Sequence, residues 1–290
     1  MTHDVPVRRT GSWFDHRFRS STASFSLYCF PFAGGAASFY SEWSQQVGGA
    51  VELVPVQLPG RGARMAEPPP DTIEEVADQV TEAVLRTETL PLLFGHSMGA
   101  IIAFEVARRL DAAARPVVHL FVSGRPAPRH LRPVVPISDL PRDRFVQVLR
   151  DYGAADEQIL DNEQLLDVLM PMMRADFGAI ETYRYTPGPL LTCPISAWCG
   201  TEDQEVSPDT MLDWADVTAG GVKLFVRSGG HFFLSDHVAE ILRTVDEEAA
   251  ATRQHRRPGP VQHGGTAADG GRSAAGSGAR SADGRVSVAG

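Results

Sequence analysis

Lysine is almost missing from this sequence. Its 290 residues include 26 arginines and one lysine, Lys223. Cysteine is scarce too, with only Cys29, Cys193 and Cys199. An odd number without metal-ligand spacing argues against a disulfide framework and against a metal site, and makes a reducing cytoplasm the expected compartment. Basic charge is in deficit. With 27 Lys and Arg against 36 Asp and Glu, the net charge is −9. That opposes a general nucleic-acid binder, which needs a basic surface to displace counterions. No apolar run approaches the roughly 18 residues that would span a bilayer. The first thirty positions mix Arg, Ser and aromatics and lack the apolar core of a secretory signal.

What is present is ordinary globular composition, 43% hydrophobic and 22% charged, which excludes a wholly disordered chain. One stretch differs. Residues 252–290 hold nine Gly, six Arg and two Asp, and their only large aliphatics are Val261, Val286 and Val288. Too little apolar surface is available there to offset the entropy of ordering, so a disordered tail is expected. The remaining 251 residues form the expected folded domain.

That body alternates between two hydrophobic periods. FSLYCF (25–30), VELVPV (51–56), PLLFG (91–95), PVVHLFVSG (116–124), PISAWCG (194–200) and VKLFV (222–226) read as strands. Helical stretches separate them: FYSEWSQQV, a segment opening at Thr72 with a capping-box pattern, AIIAFEVARRL (100–110), and a last one from about Phe233 to Ala250. Strands that are apolar throughout, alternating with helices, predict an α/β fold with a mostly parallel central sheet covered on both faces. The 70 residues from Gly124 to Cys193 contain no strand-like run. They read as helices over 141–153 and 161–185, with Pro171 expected to kink or divide the second.

Gly95-His96-Ser97-Met98-Gly99 matches G-x-S-x-G. A strand enters it and a helix leaves it, the context of a nucleophile elbow, where small glycines let strand and helix pass closely and expose the serine. Ser97 is the candidate nucleophile. Among nine histidines, His231 follows the last strand and a Gly229-Gly230 turn, where a β–α sheet presents functional groups. It is the candidate base, with His237 as its competitor. Asp203, 106 residues after Ser97 and 28 before His231, is the candidate orienting acid, with Glu202 and Glu205 nearby. The order Ser…Asp…His is that of α/β-hydrolases. An oxyanion hole needs two N–H donors. The Met98 amide is one candidate. The other is Phe32, or next Ala33, in the glycine loop after the first strand.

Six segments together carry a resemblance. Phe30-Pro31-Phe32-Ala33-Gly34-Gly35, Leu58-Pro59-Gly60-Arg61-Gly62-Ala63-Arg64, GHSMG, Ser123-Gly124-Arg125-Pro126-Ala127-Pro128, the Asp203 loop and Gly229-Gly230-His231-Phe232-Phe233 resemble the type II thioesterases. These are stand-alone α/β-hydrolases that serve polyketide and nonribosomal peptide synthases, and the likeness runs from about Trp13 to about Ala250. It implies hydrolysis of acyl groups held as thioesters on the phosphopantetheine arm of an acyl- or peptidyl-carrier protein, clearing stalled or misprimed units. It implies Ser97, Asp203 and His231 as the triad, and the Phe32 and Met98 amides as the oxyanion hole. No cofactor or metal is implied. Phe32 stands where the family often has His or Tyr, which bears on acyl preference rather than on chemistry. The resemblance also makes residues 125–190 a helical lid, with Met170, Met172, Met173, Leu165, Leu169 and Phe177 as acyl-pocket candidates.

The body carries −13 once the tail's +4 is removed, and carrier proteins are usually acidic. Docking would then use local positive charge. Arg125, Arg129, Arg132, Arg61 and Arg64 are the candidates. Nothing in the sequence calls for an oligomer, so a monomer is expected. Three other functions share the same residues: an esterase or peptidase, an acyltransferase or cyclase, and a non-catalytic binding protein on the same fold.

Overall fold

A computed structural model of the chain describes residues 12–14, 20, 22–131, 136–153, 157–256 and 286–289. Its elements run β1 (Phe25–Phe30), β2 (Val51–Pro55), α1 (Ile73–Leu85), β3 (Leu90–His96), α2 (Met98–Ala112), β4 (His119–Ser123), α3 (Arg142–Tyr152), α4 (Glu157–Leu160), α5 (Glu163–Thr182), β5 (Ile195–Gly200), α6 (Pro208–Leu212), β6 (Val222–Arg227), α7 (Val238–Arg256) and β7 (Val286–Ala289). The strands form one parallel sheet in the order β2-β1-β3-β4-β5-β6-β7.

Alternation along the strands builds two cores. On one face Tyr28 and Phe30 of β1, Leu93 of β3 and Leu120 and Val122 of β4 pack against Val76 and Val80 of α1 and Ile101 and Ile102 of α2. On the other, Leu27 and Cys29, Leu92 and Phe94, and Trp198 and Phe225 meet Tyr40, Trp43 and the α7 residues Ile241, Leu242 and Val245. A sheet buried on both sides explains why its strands are apolar throughout. The expected α/β-hydrolase architecture is what the chain adopts. Thr72 caps α1 as its sequence pattern suggests, its side chain accepting the Glu75 N–H. Cys29, Cys193 and Cys199 are all buried and unpaired.

Several details depart from the expectation. FYSEWSQQV forms two single 3-10 turns, Ala37–Tyr40 and Glu42–Gln45, rather than a helix. Its aromatics Tyr40 and Trp43 are spaced to reach the core from a tight turn, so packing overrides the longer element. Pro171 does not divide α5, which is continuous from Glu163 to Thr182. The carbonyl deprived of a donor belongs to Asp167, and both residues lie on the exposed side, where water can take the lost bond. The expected tail begins too early and is not wholly irregular. α7 carries on through the helix-favouring Ala249-Ala250-Ala251 to Arg256. Val286–Ala289 pairs in parallel with the outer edge of β6, which leaves β6 with neighbours on both sides. The rest of the expected tail, 257–285 and 290, lies outside the described residues.

The insertion between β4 and β5 holds α3, α4 and α5 and has a small core of its own. Phe145, Leu149, Leu160, Leu166, Met170, Met172 and Met173 are buried together there. Among the described residues no helix is long and apolar enough to cross a membrane.

Candidate active site

The turn between β3 and α2 is the most constrained backbone in the fold. Ser97 has φ 54° and ψ −119°, a region in which a residue with a Cβ costs on the order of 1–3 kcal/mol. Glycines on either side make the turn possible. A Cβ on Gly95 would lie 2.1 Å from the Gly99 carbonyl oxygen, and one on Gly99 would lie 2.3 Å from the Phe30 carbonyl oxygen. β1, β3 and α2 therefore approach closer than any side chain permits. Gly99→Ala is expected to cost roughly 3 kcal/mol or more, because the clash is with backbone. In a domain of this size that is a fall in Tm of about 6–12 °C, readable by a thermal melt. An unchanged melt would mean that β1 and α2 are less closely held than this geometry says.

Met98 is the first residue of α2, so its N–H has no acceptor within the helix. The Phe32 amide has no acceptor among the described residues, nor does that of Ala33. The Phe32–Gly35 turn closes through a Gly35 N–H to Phe32 carbonyl bond of 2.8 Å, with Gly34 at φ 81°.

His231 lies in the loop after β6. Its Nδ1–H donates to Asp203 Oδ2 at 2.9 Å. Asp203 is held in turn by the Glu205 N–H, 2.9 Å from Oδ1. The two loops are stitched by backbone bonds from Thr201 N–H to the Arg227 carbonyl and from Glu202 N–H to the Gly229 carbonyl. Gly200 lets them touch, since a Cβ there would lie 2.3 Å from the Gly229 oxygen. The Asp203 carboxylate is fully buried and the His231 ring mostly so. With Nδ1–H committed to Asp203, Nε2 carries the lone pair. Glu202 is exposed, and Glu205 accepts a bond from the Tyr152 hydroxyl at 2.9 Å. Of the three acids, only Asp203 meets the imidazole. His237 donates Nε2–H to the Ser228 carbonyl instead.

Ser97 and His231 line one chamber of about 80 Å³, together with Phe32, Met98, Arg125, Ile137, Tyr152, Phe177, Ile180, Glu181, Glu205 and Phe232 among others. The insertion roofs it. No hydrogen bond joins Ser97 Oγ to His231 here, as is common when no substrate is bound. Phe177, an acyl-pocket candidate, is at the chamber, and so is Arg125, a docking candidate. Met170 and Met173 are not, and that expectation is corrected. They sit at helical spacing on the α5 face that seals against Phe145 and Leu149 of α3, so the insertion's own core consumes them. Leu165 is exposed. Phe232 follows His231 in its motif, where the sequence assigned it no role. No motif marks Tyr152 and Glu181, and they reach the chamber only through the fold.

His96 packs against the site. Its ring centroid lies 4.8 Å from that of His231, and Nδ1 shares a bond with Ser123 Oγ at 3.0 Å. Burial, with His231 beside it, holds its pKa well below the usual imidazole range. It is a neutral packing wall for the imidazole. The arginines are also redistributed. Arg61 and Arg64 are buried, Arg61 against Asp176 and Arg64 against Glu67 and the Trp13 ring. They are therefore unavailable as a docking patch. Arg129 is exposed, and Arg132 lies outside the described residues.

A second Ser–His–acid contact exists. His119 Nε2 lies 2.9 Å from Ser196 Oγ, and Nδ1 lies 3.5 Å from Glu248. Ser196 is fully buried in β5, out of reach of any substrate. Among the described residues, no group of three or more His, Cys, Asp or Glu side chains is placed to hold a metal ion.

Comparison with known proteins gives the family. The family model of the thioesterase domain matches residues 25–248. The chain belongs to the thioesterase family. Thioesterase PikA5 of Streptomyces venezuelae is 36% identical over 248 residues, covering 84% of this chain and 88% of its own. Gramicidin S biosynthesis protein GrsT of Aneurinibacillus migulanus is 35% identical, covering 81% and 93%. Among solved structures, the type II thioesterase BorB from the borrelidin biosynthetic cluster superposes with a TM-score of 0.76 at 38% identity, over 82% of this chain and 97% of that one. The thioesterase match spans β1 to α7, and so includes the elbow, the Asp203 loop and the His231 loop.

Proposed function

We propose that this thioesterase removes acyl groups from the phosphopantetheine arms of acyl- or peptidyl-carrier proteins in polyketide or nonribosomal peptide biosynthesis, clearing stalled or misprimed units. The observation that carries the chemistry is the buried His231–Asp203 hydrogen bond opening on the same chamber as Ser97. The carrier substrate is carried by likeness to PikA5, GrsT and BorB.

In this mechanism Ser97 Oγ attacks the thioester carbonyl carbon while His231 Nε2 takes its proton. Asp203 fixes the tautomer and stabilises the imidazolium. The Phe32 and Met98 amides receive the negative charge that forms on the carbonyl oxygen, at the positive end of α2. The C–S bond breaks, the imidazolium protonates the departing thiolate, and an acyl-Ser97 ester remains. Water then gives a proton to His231 and adds to the ester, and the tetrahedral adduct collapses to a carboxylic acid as the imidazolium returns that proton to Ser97 Oγ. No step requires a cofactor. The chamber's volume suits a short acyl group, since one water fills about 10–15 Å³ on the same measure. The insertion acts as the lid, with Phe177, Ile180 and Arg125 facing the acyl group. Among the described candidates Arg129, exposed beside the insertion, is placed to meet an acidic carrier. Three reduced, buried cysteines accord with work in the cytoplasm.

The test is hydrolysis of an acyl-loaded carrier protein, followed by intact mass. Release of free acid with return of the carrier thiol supports the reading. Transfer of the acyl group to an alcohol or amine would make the protein an acyltransferase. Turnover confined to small esters would make it an esterase.

A further inference from the structure

Arg61 and Asp176 form a pair that the mechanism above does not use. Arg61 lies in the loop after β2 and Asp176 on α5, 115 positions apart in sequence. Both are about 98–99% buried, at 2% and 1% exposure. The contact is bidentate, with Nη1 to Oδ2 and Nη2 to Oδ1 both at 2.6 Å. Two charges so far from water need further partners. Here the partners belong to the turn that carries Phe32. Asp176 Oδ2 accepts the Gly34 N–H at 2.8 Å, and Arg61 Nη1 donates to the Gly35 carbonyl at 2.9 Å. Arg61 Nε also reaches the Pro59 carbonyl at 3.3 Å. Met173, one turn before Asp176, packs its Cγ 3.5 Å from the place a Gly34 Cβ would occupy.

We propose that Arg61 and Asp176 are positioning residues for the oxyanion hole, holding the Phe32–Gly35 turn from the lid helix so that α5 is part of the catalytic frame rather than a free cover. The pair grips the turn by its Gly34 N–H, in the peptide directly after the Ala33 amide and two after the Phe32 amide, and by its Gly35 carbonyl. The inference rests on reading the Phe32 amide as an oxyanion donor. It also implies that acyl entry is accommodated by α3 and α4, because α5 is tied to the scaffold by a buried ion pair.

Asp176→Asn keeps an acceptor for the Gly34 N–H but removes the charge. Arg61→Lys keeps the charge but loses the fork. Each is expected to lower kcat about tenfold or more, within the range for a damaged oxyanion hole, while KM changes less than twofold. Affinity for a short-chain trifluoromethyl ketone, which mimics the tetrahedral adduct, should fall in step with kcat/KM. Arg174→Met is the control. Arg174 anchors α5 to the Ser138 and Leu140 carbonyls and stacks on Phe145, away from the Phe32 turn, so kcat should hold even if the lid loosens. Hydrogen exchange of the Gly34 amide gives a readout independent of activity, and should quicken in Asp176→Asn but not in Arg174→Met. If Asp176→Asn does not accumulate folded, Arg61→Lys carries the comparison. The proposal is overturned if Gly34 exchange is unchanged, or if exchange quickens while kcat and inhibitor affinity stay at wild-type values. If the wild type itself releases no acyl group from a carrier, the functional reading fails, and the exchange experiment still decides whether the pair holds the turn.

Discussion

Ser97→Ala should lower kcat on the order of 10⁶-fold, the scale set by losing the nucleophile of a Ser–His–Asp site. The fold should survive. Alanine fits wherever serine does, and Ser97 Oγ makes no hydrogen bond that the turn depends on; the turn is held by the Ser97 N–H to Ser123 carbonyl bond of 2.8 Å and by the flanking glycines. A fluorophosphonate probe distinguishes this residue from the rest of the chain. Wild type should take one equivalent, located by peptide mass at Ser97, and the variant none. Ser196, with its own histidine contact, is the informative rival. It is sealed in the sheet and should stay unlabelled in both proteins. Label at Ser196, or turnover by the variant near the wild-type rate, would show that Ser97 is not the nucleophile.

Asp203→Asn should cost kcat about 10⁴-fold with little change in fold, as expected when the orienting acid of such a triad becomes an amide. The direction follows from the bonds around Asp203. The Glu205 N–H needs an acceptor, so the amide oxygen of the new side chain turns to it. Its NH₂ then faces His231 Nδ1, which must become the acceptor. The ring proton moves to Nε2, the atom that has to take the Ser97 proton. Glu202→Gln tests the specificity of this argument. Glu202 is exposed and makes no side-chain bond to His231, so kcat should be unchanged. A large loss from Glu202→Gln, or wild-type turnover by Asp203→Asn, would place the acid elsewhere in the loop.

Both predictions concern residues legible in the sequence, and the reason is local. Ser97 is marked by its two glycines and by the change of hydrophobic period around it. Asp203 and His231 each follow an apolar strand, and a parallel sheet brings the carboxyl ends of its strands to one edge. Chain order and one topological rule bring all three to the same edge. Arg61 and Asp176 were out of reach because their meeting depends on how α5 lies across the sheet. Taken singly, Arg61 looks like a surface charge on a glycine loop. The available hint was Asp176 itself, an acid between Met172, Met173, Phe177 and Ile180 on an otherwise apolar helix face. The methionines misled for a related reason. Helical spacing states that a face is covered, without saying whether a neighbouring helix or a ligand covers it. β7 was missed because four residues of Val, Ser and Ala in a Gly-rich segment carry almost no strand signal on their own, and β6 supplies the pairing.

The most direct measurement is the intact mass of an acyl-loaded carrier protein followed over time after adding wild type, Ser97→Ala, or nothing. Wild type should return the carrier to its free phosphopantetheine thiol and release the acid. Ser97→Ala should match the blank. An acyl group that stays on the carrier through every chain tried, while a small ester is cleaved at Ser97, would contradict the carrier-directed function and leave a serine hydrolase with another substrate.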